Sequence, residues 1–499
     1  MKQLSRLVRR VFSEPKLFWP VVAITFFVSR LGTWLYPFDS DHWIFFYVGK
    51  NWFHGGSLYL TAWDHKPPII FFINGLMSLV TDNIVIHRIF FTLVAILGCY
   101  LFYRLLKKIL PKLQIKQVDL AVKVGLLTYV FWVNLSQFTS SANNTENFGV
   151  IFLLAMLLSY LSYREKGNLW WLFATGIFMS ILFFLKGNFI LLALPIGLYI
   201  IIENRKDFWK IIRDGIVFVT PLIIHAGLWI WYFGSPSRIN DFVIATLQFS
   251  AKYSSSAWVG QLSGLAKFYT LVAIASPLLI VVPIWYLAIY KRNFKKFEYG
   301  FIAMILTLGT VAFFAVGVPY LYYFLVMFPI YMIAVVYLLF SKNGIKGKSK
   351  KIFIFIFFAG SLLNLGYCGY QLYQNNRGAT RSEAVEYQQI ADYVDQHTVT
   401  SDKVFDYDYG ATFYELAHRD SGSRYISASI LLLDYHGRYG FDLDKIFISD
   451  MEKSRTKYVV MTKKENNIYE DNKPIVNYFN LHYKLEKVFN TFVLLRRID

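Results

Sequence analysis

The stretch WDHKPP, residues 63–68, sets Asp64, His65 and Lys66 side by side and follows them with two prolines. Proline fixes its own φ and restricts the residue before it, so Lys66 has a narrow range of approach. Similar groups recur in short segments between apolar runs: DSDHW (39–43) carries Asp39, Asp41 and His42, SANNTENF (141–148) carries Glu146, and FLKGN (184–188) carries Lys186. Arg88 stands at the start of the apolar run that follows WDHKPP. Lysine suits a phosphate as a point charge and arginine as a planar fork, while a carboxylate suits general-base work on a hydroxyl. A phosphate held beside a carboxylate at a lipid boundary points to a lipid-linked phosphate donor and an activated acceptor. One such charge at a helix end needs only solvent or snorkelling. Their recurrence on one side, in loops too short to carry them clear of a bilayer, makes a functional site the default expectation.

The elements that position these groups are membrane spans. The 499 residues are 56% hydrophobic and 19% aromatic, with mean hydropathy +0.41, far from soluble composition. The net charge of +19 is spread in short Lys/Arg clusters between apolar runs, which reads as membrane topology and not as a nucleic-acid face. Segments long enough to cross about 30 Å of hydrocarbon lie at 17–36, 84–103, 119–135, 148–163, 169–185, 188–202, 214–233, 268–290, 299–317, 320–340 and 352–373. The shorter PPIIFFINGLMSLV (67–80) fits an interfacial helix. The first apolar stretch, after MKQLSRLVRR, has no small-residue cleavage site and is read as a retained span. With a cytoplasmic amino terminus, the loops inside hold 26 Lys/Arg and the short loops outside hold 6, which satisfies the positive-inside rule. WDHKPP then faces outward, in a first outer loop over 37–83.

The spans fill residues 1–375, and beyond them the chain turns polar. RSEAVEYQQIADYVDQH has helical periodicity, and KYVVMTKK and FNTFVLLRR read as strands, so 376–499 is expected to form an extracytoplasmic α/β domain. Cys99 and Cys368 both fall in apolar segments and can build neither a disulfide framework nor a zinc site. DYDYG (406–410) and FDLDK (441–445) lack the spacing of a calcium loop and read as solvated surface. The sequons NLS (134–136) and NNT (143–145) lie against the membrane. Residues 237–256 form a long outward loop of the kind that often gates a site.

DSDHWIFFYVGKNWFHGGSLYLTAWDHKPP (39–68) resembles the first extracytoplasmic loop of bacterial membrane glycosyltransferases related to the dolichyl-phosphate-mannose protein mannosyltransferases and the aminoarabinose transferase of lipid A. NNTENF, GIFMSILFFLKGN and YLYYFLVMFP resemble later motifs, so the similarity runs over roughly the first 340 residues. The resemblance implies a polytopic α-helical membrane protein of GT-C type, with about eleven spans and the C-terminal α/β domain. It further implies a sugar donor on a polyprenyl monophosphate and Asp41 as the base that activates an acceptor hydroxyl for an inverting displacement. Lys66, with Arg88 and Lys186, would hold the phosphate, and Glu146 would position the acceptor or orient Asp41. Asp39, His42, Trp43, Trp63, Asp64, His65 and Tyr322 are candidate contacts to sugar or acceptor. His42 stands where the family has a second acid and Tyr322 where it often has His, so those two roles do not carry over.

The implied setting is a multi-pass plasma-membrane protein whose partners are the lipid-linked donor, a cell-surface glycan, lipid or protein acceptor, and membrane lipids, with no nucleic acid. No obligatory cofactor is expected because lysine already supplies positive charge to the phosphate, with a divalent cation on the boundary acids as the alternative. A transporter or flippase would instead bind at the midplane on broken helices, where this sequence is largely apolar. A polysaccharide polymerase or ligase using the same donor stays open.

Overall fold

In lipid only a helix or a closed barrel satisfies every backbone N–H and C=O, so the long apolar runs have little choice but to be helical. The structure, a computed structural model, describes residues 10–35, 39–252, 281, 284–286, 296–314, 320–342, 344–375, 378–407, 410–426, 431, 441–463 and 473–499. The helices in chain order are α1 (Pro15–Leu35), α2 (Ser40–Phe53), α3 (Pro68–Ser78), α4 (Ile84–Ile109), α5 (Val118–Val133), α6 (Thr145–Lys166), α7 (Leu169–Leu185), α8 (Leu194–Glu203), α9 (Phe208–Phe233), α10 (Pro236–Val243), α11 (Phe297–Phe314), α12 (Phe328–Phe340), α13 (Gly347–Asn375), α14 (Gly378–Gln396), α15 (Thr412–Leu416), α16 (Leu443–Ser454) and α17 (Lys473–His482). The strands are β1 (Val404–Asp406), β2 (Tyr458–Thr462), β3 (Tyr483–Val488) and β4 (Phe492–Arg497).

Two compact units result: Met1–Pro37, Ile84–Tyr232 and Ser254–Leu372 form the first, and Phe38–Asn83, Phe233–Tyr253 and Tyr373–Asp499 form the second. The first unit is the membrane bundle. Among the described residues, six helices are long and apolar enough to cross a membrane: Pro15–Leu35, Ile84–Leu113, Thr145–Lys166, Phe208–Phe233, Leu321–Phe340 and Gly347–Gln374. At the other expected spans, 119–135, 169–185, 188–202 and 299–317, the chain is helical, in α5, α7, α8 and α11, which are not among those six. The expected span at 268–290 lies outside the described residues apart from 281 and 284–286. From Phe328 to Leu338 every residue of α12 is buried, as expected of a helix apolar all round. Ile96 and Leu97 of α4, Ile223 and Trp231 of α9, and Phe355 and Leu363 of α13 are exposed, and such apolar faces belong against lipid tails. The chain is a multi-pass membrane protein.

The second unit gathers the first loop, residues 233–253 and the C-terminal region around a four-stranded sheet of order β1-β2-β4-β3. β1 runs parallel to β2, pairing Val404 with Tyr458, and the other neighbours are antiparallel. β2 is buried at all five positions, which suits its unbroken apolar sequence. The edge strand β3 is largely exposed and carries Lys484, Glu486 and Lys487, charges that discourage pairing with another chain. The expected α14, β2 and β4 form where the periodicity placed them. In the loop expected at 237–256, α10 runs into a π-helical turn, Ile244–Phe249.

The apolar stretch at 67–80 forms the helix α3, which begins on Pro68 and packs against α2. Proline suits that first position because its missing N–H would be unpaired there anyway. The two helices touch backbone to backbone: a methyl at Gly49 would lie 2.5 Å from the carbonyl oxygen of Phe71 and 2.6 Å from the nitrogen of Gly75. Backbone cannot swing aside as a side chain can. Gly49→Ala is therefore expected to destabilise the protein by about 1–3 kcal/mol, read as a lowered thermal midpoint in detergent; an unchanged midpoint would show that α2 and α3 part freely.

Candidate active site

In the second unit the site grows from the amino end of α2. Asp39 caps that end, its Oδ1 accepting from the N–H of His42 at 3.0 Å. Asp41 follows in the first turn, partly exposed, where the helix dipole favours a negative charge. One turn further, Phe45 shares the face of Asp41, and Lys66 Nζ stands 5.9 Å from the centre of the Phe45 ring. The helical spacing of Asp41 and Phe45 puts Lys66 beside a residue one turn along α2 from the acid. His42 is fully buried, stacked on Phe46 with Trp43 edge-on at 5.0 Å.

WDHKPP forms a tight turn around Lys66. Asp64, 4% exposed, accepts the N–H of Lys66 at 3.0 Å through Oδ1, a self-contained Asx turn. The phenol of Tyr59 is held well above its usual pKa by burial and by Asp64. It therefore keeps its proton and donates to the Lys66 carbonyl at 2.8 Å. Lys66 Nζ lies 2.7 Å from His65 Nε2, and His65 Nδ1 lies 3.7 Å from Asp64 Oδ2. A charged lysine only donates, so Nε2 accepts and the ring proton sits on Nδ1, facing the carboxylate. Trp63 is buried between Phe249 and Tyr425 at ring distances of 5.1 and 5.5 Å, and its backbone N–H donates to the Arg424 carbonyl at 2.8 Å. Arg424 is itself held by Asp450 through two bonds of 2.8 and 3.0 Å. The π-helical turn after α10 brings Phe249 to 5.7 Å from the His65 ring, a helical irregularity of the kind frequent at functional sites.

In the first unit, Asn144 caps α6 by accepting the N–H of Asn147 at 3.0 Å. That places Glu146, 1% exposed, with Oε1 at 2.5 Å from Lys186 Nζ and Oε2 accepting from the Thr145 hydroxyl at 2.8 Å. Lys186 ends α7, and its ammonium stands 3.5 Å from the centre of the Tyr323 ring, a cation–π contact. Tyr322 stacks on Tyr320 at 5.3 Å and meets Tyr323 edge-on at 4.9 Å. Arg88 donates from Nη1 to the Thr33 carbonyl at 2.5 Å. The sequence candidates thus divide, Asp39 to Lys66 in the second unit and Arg88, Glu146, Lys186 and Tyr322 in the first. Among the described residues no three His, Cys, Asp or Glu side chains are grouped to share a metal ion.

Residues 64–231 match the family model described as dolichyl-phosphate-mannose-protein mannosyltransferase. ArnT from Cupriavidus metallidurans, solved bound to undecaprenyl phosphate, superposes with a TM-score of 0.56 over 97% of this chain and 97% of its own, at 12% identity. The chain has the GT-C fold. The archaeal oligosaccharyltransferase AglB from Archaeoglobus fulgidus, solved with an inhibitory peptide and a dolichol-phosphate, aligns over 95% of this chain and 74% of its own, with a TM-score of 0.47 and 12% identity. No curated protein matches. The resemblance carried by the first loop to GT-C membrane glycosyltransferases holds.

This GT-C chain also uses residues that the spacing of motifs did not single out. Arg30 of α1 is 1% exposed and donates to Thr92 Oγ1 at 3.3 Å, Asn134 Oδ1 at 3.0 Å and the Phe91 carbonyl at 3.0 Å. All three acceptors are neutral. The Thr92 hydroxyl in turn donates to the Arg88 carbonyl at 2.7 Å, so the two arginines lace α1 to α4. Its signal was in the sequence, a charge inside the first span, and such a residue is a site candidate by default. Tyr59 and Tyr323 gave no comparable signal, because aromatics abound in the chain.

Removing one partner from a buried ion pair strands the other charge, at a cost of about 3–5 kcal/mol. Lys186→Met is expected to lower the thermal midpoint sharply, and adding Glu146→Gln should restore much of the loss. Equal midpoints for the single and double variants would show that the pair is not coupled.

Proposed function

We propose that the chain is an integral membrane glycosyltransferase that moves a sugar from a polyprenyl monophosphate to an acceptor hydroxyl on the extracytoplasmic side. What supports this reading is that Lys66 packs on Phe45, one helical turn along α2 from Asp41. Asp41 takes the acceptor proton as the hydroxyl oxygen attacks the anomeric carbon. The bond from that carbon to the phosphate oxygen breaks, the polyprenyl phosphate leaves with the electron pair, and the anomeric centre inverts. Lys66 stabilises the charge gathering on the leaving phosphate. Its gripped backbone and its contact with His65 aim the ammonium before the reaction begins, which is where electrostatic catalysis gains most.

The mannosyltransferase family match begins at Asp64 and takes in Lys66. ArnT, which shares the fold, is bound to undecaprenyl phosphate, the kind of lipid this reaction would release. The charge asymmetry of the loops supports a plasma-membrane setting with a cytoplasmic amino terminus and with the first loop and C-terminal domain outside.

The test is transfer of a radiolabelled sugar from a panel of polyprenyl phosphates by the purified protein. Asp41→Asn is expected to lower the rate about 10²–10⁴-fold and Lys66→Ala about 10²–10³-fold. Asp39→Asn, which preserves a cap, should leave it near the native rate. Native-like transfer by Asp41→Asn would overturn the reading.

A further inference from the structure

A cleft of about 380 Å³ opens within the second unit, between the last turns of α2 and the segment that follows α15. That volume is in the range of small-molecule sites. Neither cation in its wall is available to a ligand. Lys50 is bonded to Glu415 at 2.9 Å and to Asp82 at 3.0 Å. Arg419 is spent on Thr398 Oγ1, on the carbonyls of Asp395, Ala417, His418 and Thr398, and on the Asp395 carboxylate. The cleft therefore has no uncommitted cation for a phosphate or a carboxylate.

What it does offer is a mixture of donors and acceptors. Asn51 gives its carbonyl oxygen to the Thr61 hydroxyl at 2.5 Å and keeps its amide donors. His54 is bonded through Nδ1 alone, to the Lys50 carbonyl at 2.8 Å, which leaves Nε2. Glu415 uses Oε2 on Lys50 and Asp420 uses Oδ2 on Lys403, so each keeps a second oxygen. Thr400 and His418 also line the cleft. Tyr47 forms part of the floor, its phenol kept neutral by burial and by Asp420 and accepting the Ser421 N–H at 2.8 Å. A simple anion needs donors only and a simple cation acceptors only. A hydroxyl both donates and accepts, so a surface that mixes the two around one small volume matches a neutral polyol.

We propose that this cleft binds a neutral pyranose, separate from the groups assigned above to transfer. Its identification as part of the acceptor glycan rests on the proposed transfer; the binding itself does not. The experiment uses the full chain in detergent, without donor, and measures binding of methyl glycosides of glucose, galactose and mannose, their 2-acetamido forms, glucuronic acid and inorganic phosphate by saturation-transfer NMR and calorimetry. At least one neutral glycoside is expected to bind, with its Kd raised about tenfold by Asn51→Ala and by Thr400→Val, while glucuronic acid and phosphate bind no tighter than solvent-exposed controls. Thermal midpoints identify a variant that fails to fold, in which case the other variant decides. The proposal is overturned if no neutral glycoside binds, if well-folded variants bind as the native chain does, or if phosphate or glucuronic acid is preferred. Intact transfer activity with no glycoside binding would sink the cleft and spare the enzyme; binding without transfer would do the reverse.

Discussion

The close approach of α2 and α3 at Gly49 and Gly75 is the constraint from which the WDHKPP turn follows. Two helices can touch backbone to backbone only where side chains are missing, and here the missing side chains fall where α2 meets Phe71 and Gly75. Because α3 starts on Pro68, its position dictates where WDHKPP must lie, and that turn delivers Lys66 to Phe45, one turn along from Asp41. A helix bears the acid and a clamped turn bears the cation. Each is stiff for a different reason, the first through its backbone ladder and the second through bonds from Asp64 and Tyr59 to the peptide groups of Lys66.

Charge is handled differently in the two units. In the membrane bundle, where desolvation is costly, Glu146 and Lys186 neutralise one another and Arg30 is satisfied by neutral oxygens. In the second unit the pairs are partly exposed and form links between distant segments of the chain. Lys50 of α2 reaches Glu415 of α15, and Arg424 reaches Asp450 of α16. Burial pushes Glu415 upward in pKa while Lys50 opposes it, so that pair works near the balance between desolvation and attraction. Attraction in such half-buried pairs is offset by desolvation, and their value is in registering one segment against another.

Much of the architecture was legible because lipid leaves few options. The spans at 17–36, 84–103 and 352–373 follow from hydropathy alone, and α1, α4 and α13 stand there. The helix RSEAVEYQQIADYVDQH was legible from its period, and the strand KYVVMTKK from a short unbroken apolar run that ends up buried on both faces. The capping of α2 by Asp39 could have been read from an acid before a helical run. By contrast, Arg30 was passed over although it lies in plain view inside a span. The contact of Tyr323 with Lys186 was not legible, because which of three tyrosines at the start of a short 3-10 helix turns toward a distant lysine is not set by sequence spacing.

The amino-acid sequence alone determined that this is a multi-pass helical membrane protein, that its polar chemistry gathers in short loops, and that Lys66 is conformationally restricted. Those properties are local: hydrophobic length, loop length and proline each act through a few neighbouring residues. Which polar groups meet was decided only by tertiary structure. Glu146 and Lys186 are 40 residues apart, Lys50 and Glu415 are 365 apart, and the bond from Ser421 to Tyr47 spans 374. Contacts at such separations depend on how whole helices pack, and packing is a property of shapes that no window of sequence contains.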